Sequence, residues 1–244
     1  MALSRFYQDV DLVVGNTVAL DARNHRHVVH VLRKRIGDEV VLFNGQGGEY
    51  VASIASCDKR NSSVVIDAFR DVDRESNLQT HLALALSRGE RMDYALQKAV
   101  ELGVTHITPL LTQHSTLRLN ADKIDARMRH WQGVICHAAE QSGRTALPQL
   151  DEPQTLATFL ASCQSDLKWL FETCGESATP KSDVRVTRVC MLVGGEGGWH
   201  DDEVALAKDH GFNVITLGPR IFRTETAPVV ALTLAQAYYG DFIA

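Results

Sequence analysis

An alternation of strand-like and helix-like segments over residues 81–244 constrains the fold of this chain more than any other sequence feature. Short apolar runs predict strands, and several of the stretches between them carry apolar side chains at helical spacing. Such alternation is typical of an α/β domain with a mostly parallel sheet. The predicted strands are His81–Ser87, Val104–Leu111, Lys168–Thr173, Val189–Val193 and Asn213–Leu217, and the predicted helices are Gly89–Leu102, Asp122–Ser142, Asp201–His210 and Thr226–Tyr239.

The first 70 residues have a different pattern, in which short β-branched runs are separated by turn residues. Asn44-Gly45 and Gly47-Gly48 mark a hairpin between two of these runs. Four or five short strands with glycine turns predict a small barrel. Only His25–Leu32 favours a helix there. The predicted strands are Asn16–Leu20, Glu39–Phe43, Tyr50–Ala55 and Ser63–Ala68.

The polar segment Asp71–Thr80 has no apolar period and separates the two patterns. A chain of 244 residues is long enough for two modest domains. We therefore expect a β-barrel domain over 1–72, a linker over 73–80 and an α/β domain over 81–244.

The composition narrows the class of protein. Hydrophobic residues make up 45% and charged residues 23%, which is ordinary for a globular protein and argues against disorder. No apolar run approaches the roughly 20 residues of a membrane span, and the N-terminus lacks a signal-peptide core, so we expect a cytoplasmic protein without a membrane segment. Five scattered cysteines without a C-x-x-C pair, and histidines without ligand spacing, lead us to expect no disulfide framework and no metal.

A basic segment interrupts an otherwise acidic chain. The net charge is −5, yet Arg23–Arg35 (RNHRHVVHVLRKR) holds five Lys/Arg residues, three histidines and no acid. Such an asymmetry predicts a surface that binds RNA phosphates. The alternatives are a solvated helix face for the cations and packing within the fold for the histidines.

The segment Val193–His200 (VGGEGGWH) follows a predicted strand and precedes a predicted helix. Its glycines permit a close approach of backbone N–H groups to a ligand, although a simple turn that requires positive φ is the alternative. No Gly-Lys-Ser/Thr follows, so it is not a P-loop. His200 stands where a Rossmann fingerprint has its third glycine, which excludes that motif as well.

The segment Leu217–Ala227 (LGPRIFRTETA) also leaves a predicted strand and enters a predicted helix. Helix capping would explain Thr224 and Thr226, but not two arginines that flank the apolar pair Ile221-Phe222. Two such turns in one sheet indicate a ligand cleft at the carboxyl ends of the strands.

Two further segments carry charges on helices. Lys98 and Glu101 are three residues apart, so a simple surface pair is possible. Glu140, Gln141 and Arg144 end a long helix, where a solvated face is the alternative to a functional role.

Taken together, four C-terminal motifs closely resemble the RsmE family, bacterial 16S rRNA uridine-N3 methyltransferases of the SPOUT superfamily. They are Lys98–Gly103 (KAVELG), Glu140–Arg144 (EQSGR), Gly194–Gly198 (GGEGG) and Leu217–Ala227. The resemblance covers nearly the whole chain and includes Arg5-Phe6 and Phe43–Gly45 near the N-terminus. Gly195 stands where the family usually has proline, so we expect a less rigid glycine loop. Phe222 stands where leucine is commoner, which is a milder change.

The resemblance implies an N-terminal PUA-like barrel, a C-terminal SPOUT domain with a trefoil knot, a homodimer, S-adenosylmethionine as cofactor and 16S rRNA, within the small ribosomal subunit, as substrate. The cofactor-binding residues that we expect are Glu172, Leu192, Gly194, Gly195, Glu196, Gly197, Leu217, Gly218, Ile221, Phe222, Arg223, Thr224 and Ala227.

For the reaction itself, we expect Arg223 to stabilise the uracil anion and Glu225 or Glu196 to act as base. Capping remains the alternative for Glu225, and a loop-holding role the alternative for Glu196. The residues expected to contact RNA are Arg5, Arg23, Arg26, His27, Arg33, Lys34, Arg35, Lys98 and Arg144.

Two other functional classes are compatible with parts of the sequence. A pure RNA-binding module would use the α/β domain only as a dimerisation platform, but such a platform needs no glycine-lined cleft. A different nucleotide-binding enzyme would usually carry Lys-Ser/Thr after the glycines, and this chain does not.

Overall fold

The structure is a computed structural model that describes residues 3–115, 121–174 and 185–242. It divides into two compact units, Met1–Glu75 with Ala139–Leu147, and Ser76–Ala138 with Pro148–Ala244. The sequence boundaries do not anticipate that Ala139–Leu147 belongs to the first unit. A strand also begins at Gln79, within the segment expected to be a linker.

The first unit is built on a five-stranded sheet in the order β1-β3-β4-β5-β2. Neighbouring strands are antiparallel except β1 and β3, which are parallel. The four predicted strands are confirmed, whereas the three-residue β1 is too short to show a period in the sequence. The elements are β1 (Arg5–Tyr7), β2 (Thr17–Ala19), α1 (Ala22–Arg26), a π-helical turn (His27–Val31), β3 (Glu39–Phe43), β4 (Glu49–Cys57) and β5 (Ser62–Arg70).

Alternating side chains of these strands form the core of the first unit, with Leu42, Ile54 and Ile66 among its buried members. The predicted hairpin turn joins β3 to β4. Gly48 in this turn has a φ of +66°, and a Cβ atom there would lie 2.3 Å from the ring of Phe69. Both the backbone conformation and the packing therefore require glycine.

The second unit contains a parallel sheet in the order β12-β10-β11-β6-β7-β8, and β9 also pairs with β7. The predicted α/β class with a mostly parallel sheet is confirmed. The short β8, β9 and α4 were not predicted from the sequence. The strands are β6 (Gln79–Ala85), β7 (His106–Leu111), β8 (Gln149–Leu150), β9 (Gln154–Thr155), β10 (Leu167–Glu172), β11 (Arg188–Val193) and β12 (Asn213–Thr216).

The helices of this unit follow the apolar spacing of the sequence. In α2, Met92, Leu96 and Ala99 are buried on one face. The helix ends at Glu101. Gly103, two residues later, has a φ of +79°, and a Cβ atom there would lie 2.8 Å from Nε2 of Gln236 in the last helix. The helices are α2 (Glu90–Glu101), α3 (Ala121–Ser142, whose last turn belongs to the first unit), α4 (Leu156–Ser162), α5 (Asp201–Asp209) and α6 (Ala227–Tyr239).

Because the strands of this sheet are parallel, their carboxyl ends lie together at one end of the sheet and their amino ends at the other. The carboxyl ends of β10, β11 and β12 lie side by side, because Glu172 pairs with Thr216 and Phe171 pairs with Val193. Near the amino ends of β6 and β7, the register brings His81 beside His106. Among the helices of the described ranges, none combines the length and the hydropathy needed to cross a bilayer.

Candidate active site

A cavity of about 620 Å³ lies at the carboxyl ends of β10, β11 and β12. Three chain segments that are far apart in the sequence meet there, together with the start of α2. The lining residues are Phe171–Thr173, Val193–Trp199, Leu217–Gly218, Arg220–Thr224, Arg91 and Ala227.

The cavity brings together nearly all of the expected cofactor-binding residues. Twelve of them line it, from Glu172 in β10 to Ala227 at the start of α6. Leu192 is the exception, because its side chain is fully buried in the core of the sheet. Its apolar side chain therefore supports the strand and does not face the cavity.

The glycine loop after β11 is tight, with Gly198 N–H donating to the Gly195 carbonyl over 3.0 Å. At Gly197, a Cβ atom would lie 2.7 Å from Cβ of His114, so any side chain there displaces backbone. At Gly194, a Cβ atom would lie 3.1 Å from Nε1 of Trp199. Close packing therefore requires glycine at Gly197 and leaves little room at Gly194, and neither position has positive φ.

The far end of this loop is anchored by hydrogen bonds that sequence reasoning missed. The Nε1–H group of Trp199 donates to the Phe171 carbonyl over 3.1 Å, which ties the loop to β10. The buried carboxylate of Glu203 accepts from the backbone N–H groups of Gln113 and His200, at 2.9 and 3.0 Å. The spacing of His200 and Glu203 at the start of a helix was the available signal, since it forms a capping box.

The second loop enters α6 without the expected threonine cap. Thr226 stands at the helix N-terminus, but its side chain makes no capping hydrogen bond. The backbone N–H groups of Thr226 and Ala227 instead bond to the Arg223 carbonyl. The capping explanation for Thr226 is therefore wrong. Ile221, in the same loop, is 81% exposed at the cavity.

Arg91, at the start of α2, faces both of the glutamates that the sequence identifies as candidate bases. Its Nη1 atom donates to Oε1 of Glu196 over 2.5 Å, and its Nε atom lies 4.0 Å from Oε2 of Glu225. That oxygen of Glu225 is buried and has no hydrogen-bond partner among the described residues. Arg91 was not predicted from the sequence. The usable signal was a cation at the start of the helix that follows β6, whose carboxyl end lies beside that of β11.

The residues expected to contact RNA fall into two groups in the structure. Arg26, at the end of α1, and Arg33 and Arg35, after the π-helical turn, are exposed, and Arg33 has an unusual φ of +53°. Lys34 is half-buried and donates to the Glu39 carbonyl over 3.2 Å, while the ring of His27 packs edge-on against Phe6. His25 is buried and bonds to Ser62, so packing is the correct interpretation for that histidine.

The other group is engaged in ion pairs. Arg144 is 5% exposed and pairs with Glu75 over 2.6 Å, and Arg23 pairs with Glu140 over 2.5 Å. Arg5 pairs with Glu49. These contacts attach Ala139–Leu147 to the first unit or stabilise its sheet. In the second unit, Lys98 forms the simple surface pair with Glu101, at 2.8 Å.

Comparison with known proteins identifies the family. Residues 74–236 match an RNA methyltransferase domain, and residues 20–67 match an RNA methyltransferase PUA domain. A ribosomal RNA small subunit methyltransferase E from Buchnera aphidicola is 30% identical over 243 residues, which cover 98% of this chain and 95% of that protein. The chain belongs to the ribosomal RNA small subunit methyltransferase E family.

Solved structures agree with membership of this methyltransferase E family. A methyltransferase from Legionella pneumophila, in complex with S-adenosylmethionine, is 37% identical with a TM-score of 0.96 and covers 99% of this chain and 100% of that one. A ribosomal RNA small subunit methyltransferase E from Neisseria gonorrhoeae, bound to S-adenosylmethionine, is 34% identical with a TM-score of 0.90 and the same coverage. The match of residues 20–67 to the PUA domain confirms the expected PUA-like first domain.

Replacing Arg91 tests its role in holding the glycine loop. In an Arg91→Leu variant, we expect amide hydrogen exchange of Gly194–Gly198 to become about two- to fivefold faster, because a half-exposed ion pair contributes at most about 1 kcal/mol. The control is Lys98→Ala, which breaks the Lys98–Glu101 ion pair of the same helix and should leave exchange in this loop unchanged. Equal exchange rates in Arg91→Leu and the unmodified protein would contradict the role.

Proposed function

We propose that this chain transfers a methyl group from S-adenosylmethionine to N3 of a uridine in 16S rRNA. The observation that carries the proposal is the meeting of both glycine-bearing loops in one cavity, in a chain of the methyltransferase E family. Two relatives in solved structures are bound to S-adenosylmethionine. With rRNA as the proposed substrate, we expect the protein to act in the cytoplasm.

The residues of the cavity fit this cofactor. Its volume of about 620 Å³ lies within the roughly 300–1,000 Å³ of small-molecule sites. The glycines at 194, 195, 197, 198 and 218 have no side chains, so a ligand can approach the backbone of both loops closely, which suits an adenine and a ribose. The bound cofactor supplies a methyl group on a sulfonium centre, and Phe171 and Phe222 supply apolar wall.

Uracil N3 carries a proton, so the enzyme must remove it and stabilise the resulting anion. Arg223 is exposed at the cavity, and we assign it the stabilisation of negative charge on a uracil oxygen. Glu196 is already bonded to Arg91, whereas Oε2 of Glu225 is buried without a hydrogen-bond partner among the described residues. Because Arg91 already holds Glu196, we assign Glu196 to the loop, and we assign proton acceptance to Glu225, which follows the cavity residue Thr224 in the chain.

For RNA binding, the proposal rests on the exposed cations of the basic segment. Arg26, Arg33 and Arg35 are exposed and available to phosphates, and the half-buried Lys34 lies between two of them. Arg5, Arg23 and Arg144 have partners inside the first unit, so we assign them a structural role.

The quaternary structure and the chain topology complete the proposal. We infer a homodimer through the second unit and a trefoil knot around the cofactor loops, as the family resemblance implies. Val229 and Val230 of α6 are only half-buried, and Tyr238 and Phe242 are 40% and 46% exposed, which leaves apolar surface for a second copy.

Calorimetric titration with S-adenosylmethionine tests the cavity. We expect Gly197→Val to abolish binding while the fold stays intact, because a Cβ atom there would lie 2.7 Å from Cβ of His114 and the loop must move. Gly133→Ala, in α3 where a Cβ atom meets nothing within 4 Å, is the control that should bind normally. Unchanged affinity in Gly197→Val would refute this cofactor site.

The reaction is tested on small ribosomal subunits from a strain that lacks the gene, with mass mapping of the modified uridines. We expect the unmodified enzyme to produce one N3-methyluridine in 16S rRNA, and Glu225→Gln to lower kcat about 10²- to 10⁴-fold without changing cofactor affinity. Glu196→Gln should retain more activity. Methylation at another atom would refute the proposed reaction, and full activity of Glu225→Gln would exclude it as the base.

Salt-dependent RNA binding tests the basic segment. We expect Arg33→Ala together with Arg35→Ala to weaken binding and to flatten its salt dependence by about one counterion for each residue, with cofactor affinity unchanged. Lys59→Ala, outside the basic segment, is the matched control. An unchanged salt slope in the double variant would show that this segment is solvated surface only.

A further inference from the structure

A cluster of two histidines and one aspartate lies at the end of the parallel sheet that is opposite the candidate active site. His81 in β6 and His106 in β7 are register partners, although 24 residues separate them in the sequence. Their rings stack with centroids 3.9 Å apart and planes 5° apart. Asp151 directly follows β8, which pairs with β7. We call these three residues the His-His-Asp cluster.

Hydrogen bonds draw the polar atoms of this cluster toward one point. The Thr108 hydroxyl donates to Oδ2 of Asp151 over 2.6 Å and lies 2.7 Å from Nε2 of His81. Nε2 of His106 lies 2.8 Å from the same oxygen of Asp151. One ligand atom from each member of the cluster lies within 4.8 Å of the others.

The cluster is accessible to an ion. A cavity of about 270 Å³ is lined by His81, His106 and Asp151. The side chains of His106 and Asp151 are 31% and 22% exposed, so an ion from solvent can reach them.

We propose that His81, His106 and Asp151 bind a divalent transition-metal ion, with Zn²⁺ as the best fit. Two imidazole nitrogens and one carboxylate oxygen are a donor set that suits Zn²⁺ and its first-row neighbours, whereas Mg²⁺ and Ca²⁺ prefer oxygen ligands alone. On binding, each coordinating imidazole would carry its proton on the ring nitrogen that does not face the ion, and the Asp151 carboxylate would be ionised. Because the rings are parallel, at least one imidazole must turn about its Cβ–Cγ bond to share the ion.

The position of the cluster assigns the ion a structural role. The candidate active site lies at the carboxyl ends of the strands, whereas His81 and His106 lie near the amino ends of β6 and β7. An ion here would tie β6, β7 and the segment after β8 together, and it would stabilise the folded chain by mass action. It would have no contact with the methyl group or the uracil.

Metal titration of the full chain, first freed of metal with a chelator, tests the proposal. We expect calorimetry to show one Zn²⁺ per chain, a higher Tm with Zn²⁺ and no heat or Tm change with Mg²⁺. Co²⁺ should give visible d–d bands without the thiolate charge-transfer band that cysteine ligands produce. Failure to bind Zn²⁺, or a thiolate band from Co²⁺, would overturn the proposal.

Variants locate the ion. We expect His106→Gln and Asp151→Asn each to weaken Zn²⁺ binding at least about tenfold, and their Tm without metal shows whether they fold. The control is His130→Gln, which alters the exposed His130–Asp93 pair elsewhere in the second unit, also at 2.8 Å, and should bind normally. Undiminished Zn²⁺ binding by folded His106→Gln and Asp151→Asn would refute the site and leave the cluster as a hydrogen-bond network.

Discussion

The parallel pairing of β10 with β11 and β12 is the constraint on which the candidate active site depends. Register pairs such as Phe171 with Val193 and Glu172 with Thr216 align the carboxyl ends of the three strands. The loops that follow the three strands therefore begin at the same end of the sheet, and segments separated by tens of residues line one cavity. Because the side chains of these strands form the core, the loops at their ends are free to be glycine-rich and functional.

The two glutamates near this cavity, Glu196 and Glu225, differ in their contacts with Arg91. Arg91 neutralises Glu196 through a close hydrogen bond, while Glu225 keeps a buried oxygen without a hydrogen-bond partner among the described residues. A buried carboxylate oxygen in that condition is costly unless a ligand satisfies it. Arg91 therefore contacts both glutamates, closely at Glu196 and at 4.0 Å from Glu225.

The first unit uses its cations in two ways. Arg5 and Arg144 are buried against Glu49 and Glu75, and removal of one partner of a buried ion pair is strongly destabilising. Arg23 is half-exposed and pairs with the buried Glu140. Arg33 and Arg35 are exposed and are the arginines that we propose to bind RNA. Ion pairing within the first unit therefore separates the structural arginines from those proposed to bind RNA.

The α/β class, most strands and helices, and both glycine-bearing loops could be predicted from the sequence, because periodicity and glycine spacing are local properties of the chain. The family motifs could be recognised there as well. Four contacts could not be predicted and depend on the folded chain: Leu192 lies in the core, Arg91 contacts Glu196 and Glu225, Arg144 is buried, and His81 lies against His106. Each of these depends on strand register or on contacts between distant segments. Periodicity and motif spacing describe residues that are close in the sequence and do not specify which strands pair. These contacts therefore appear only in the folded structure.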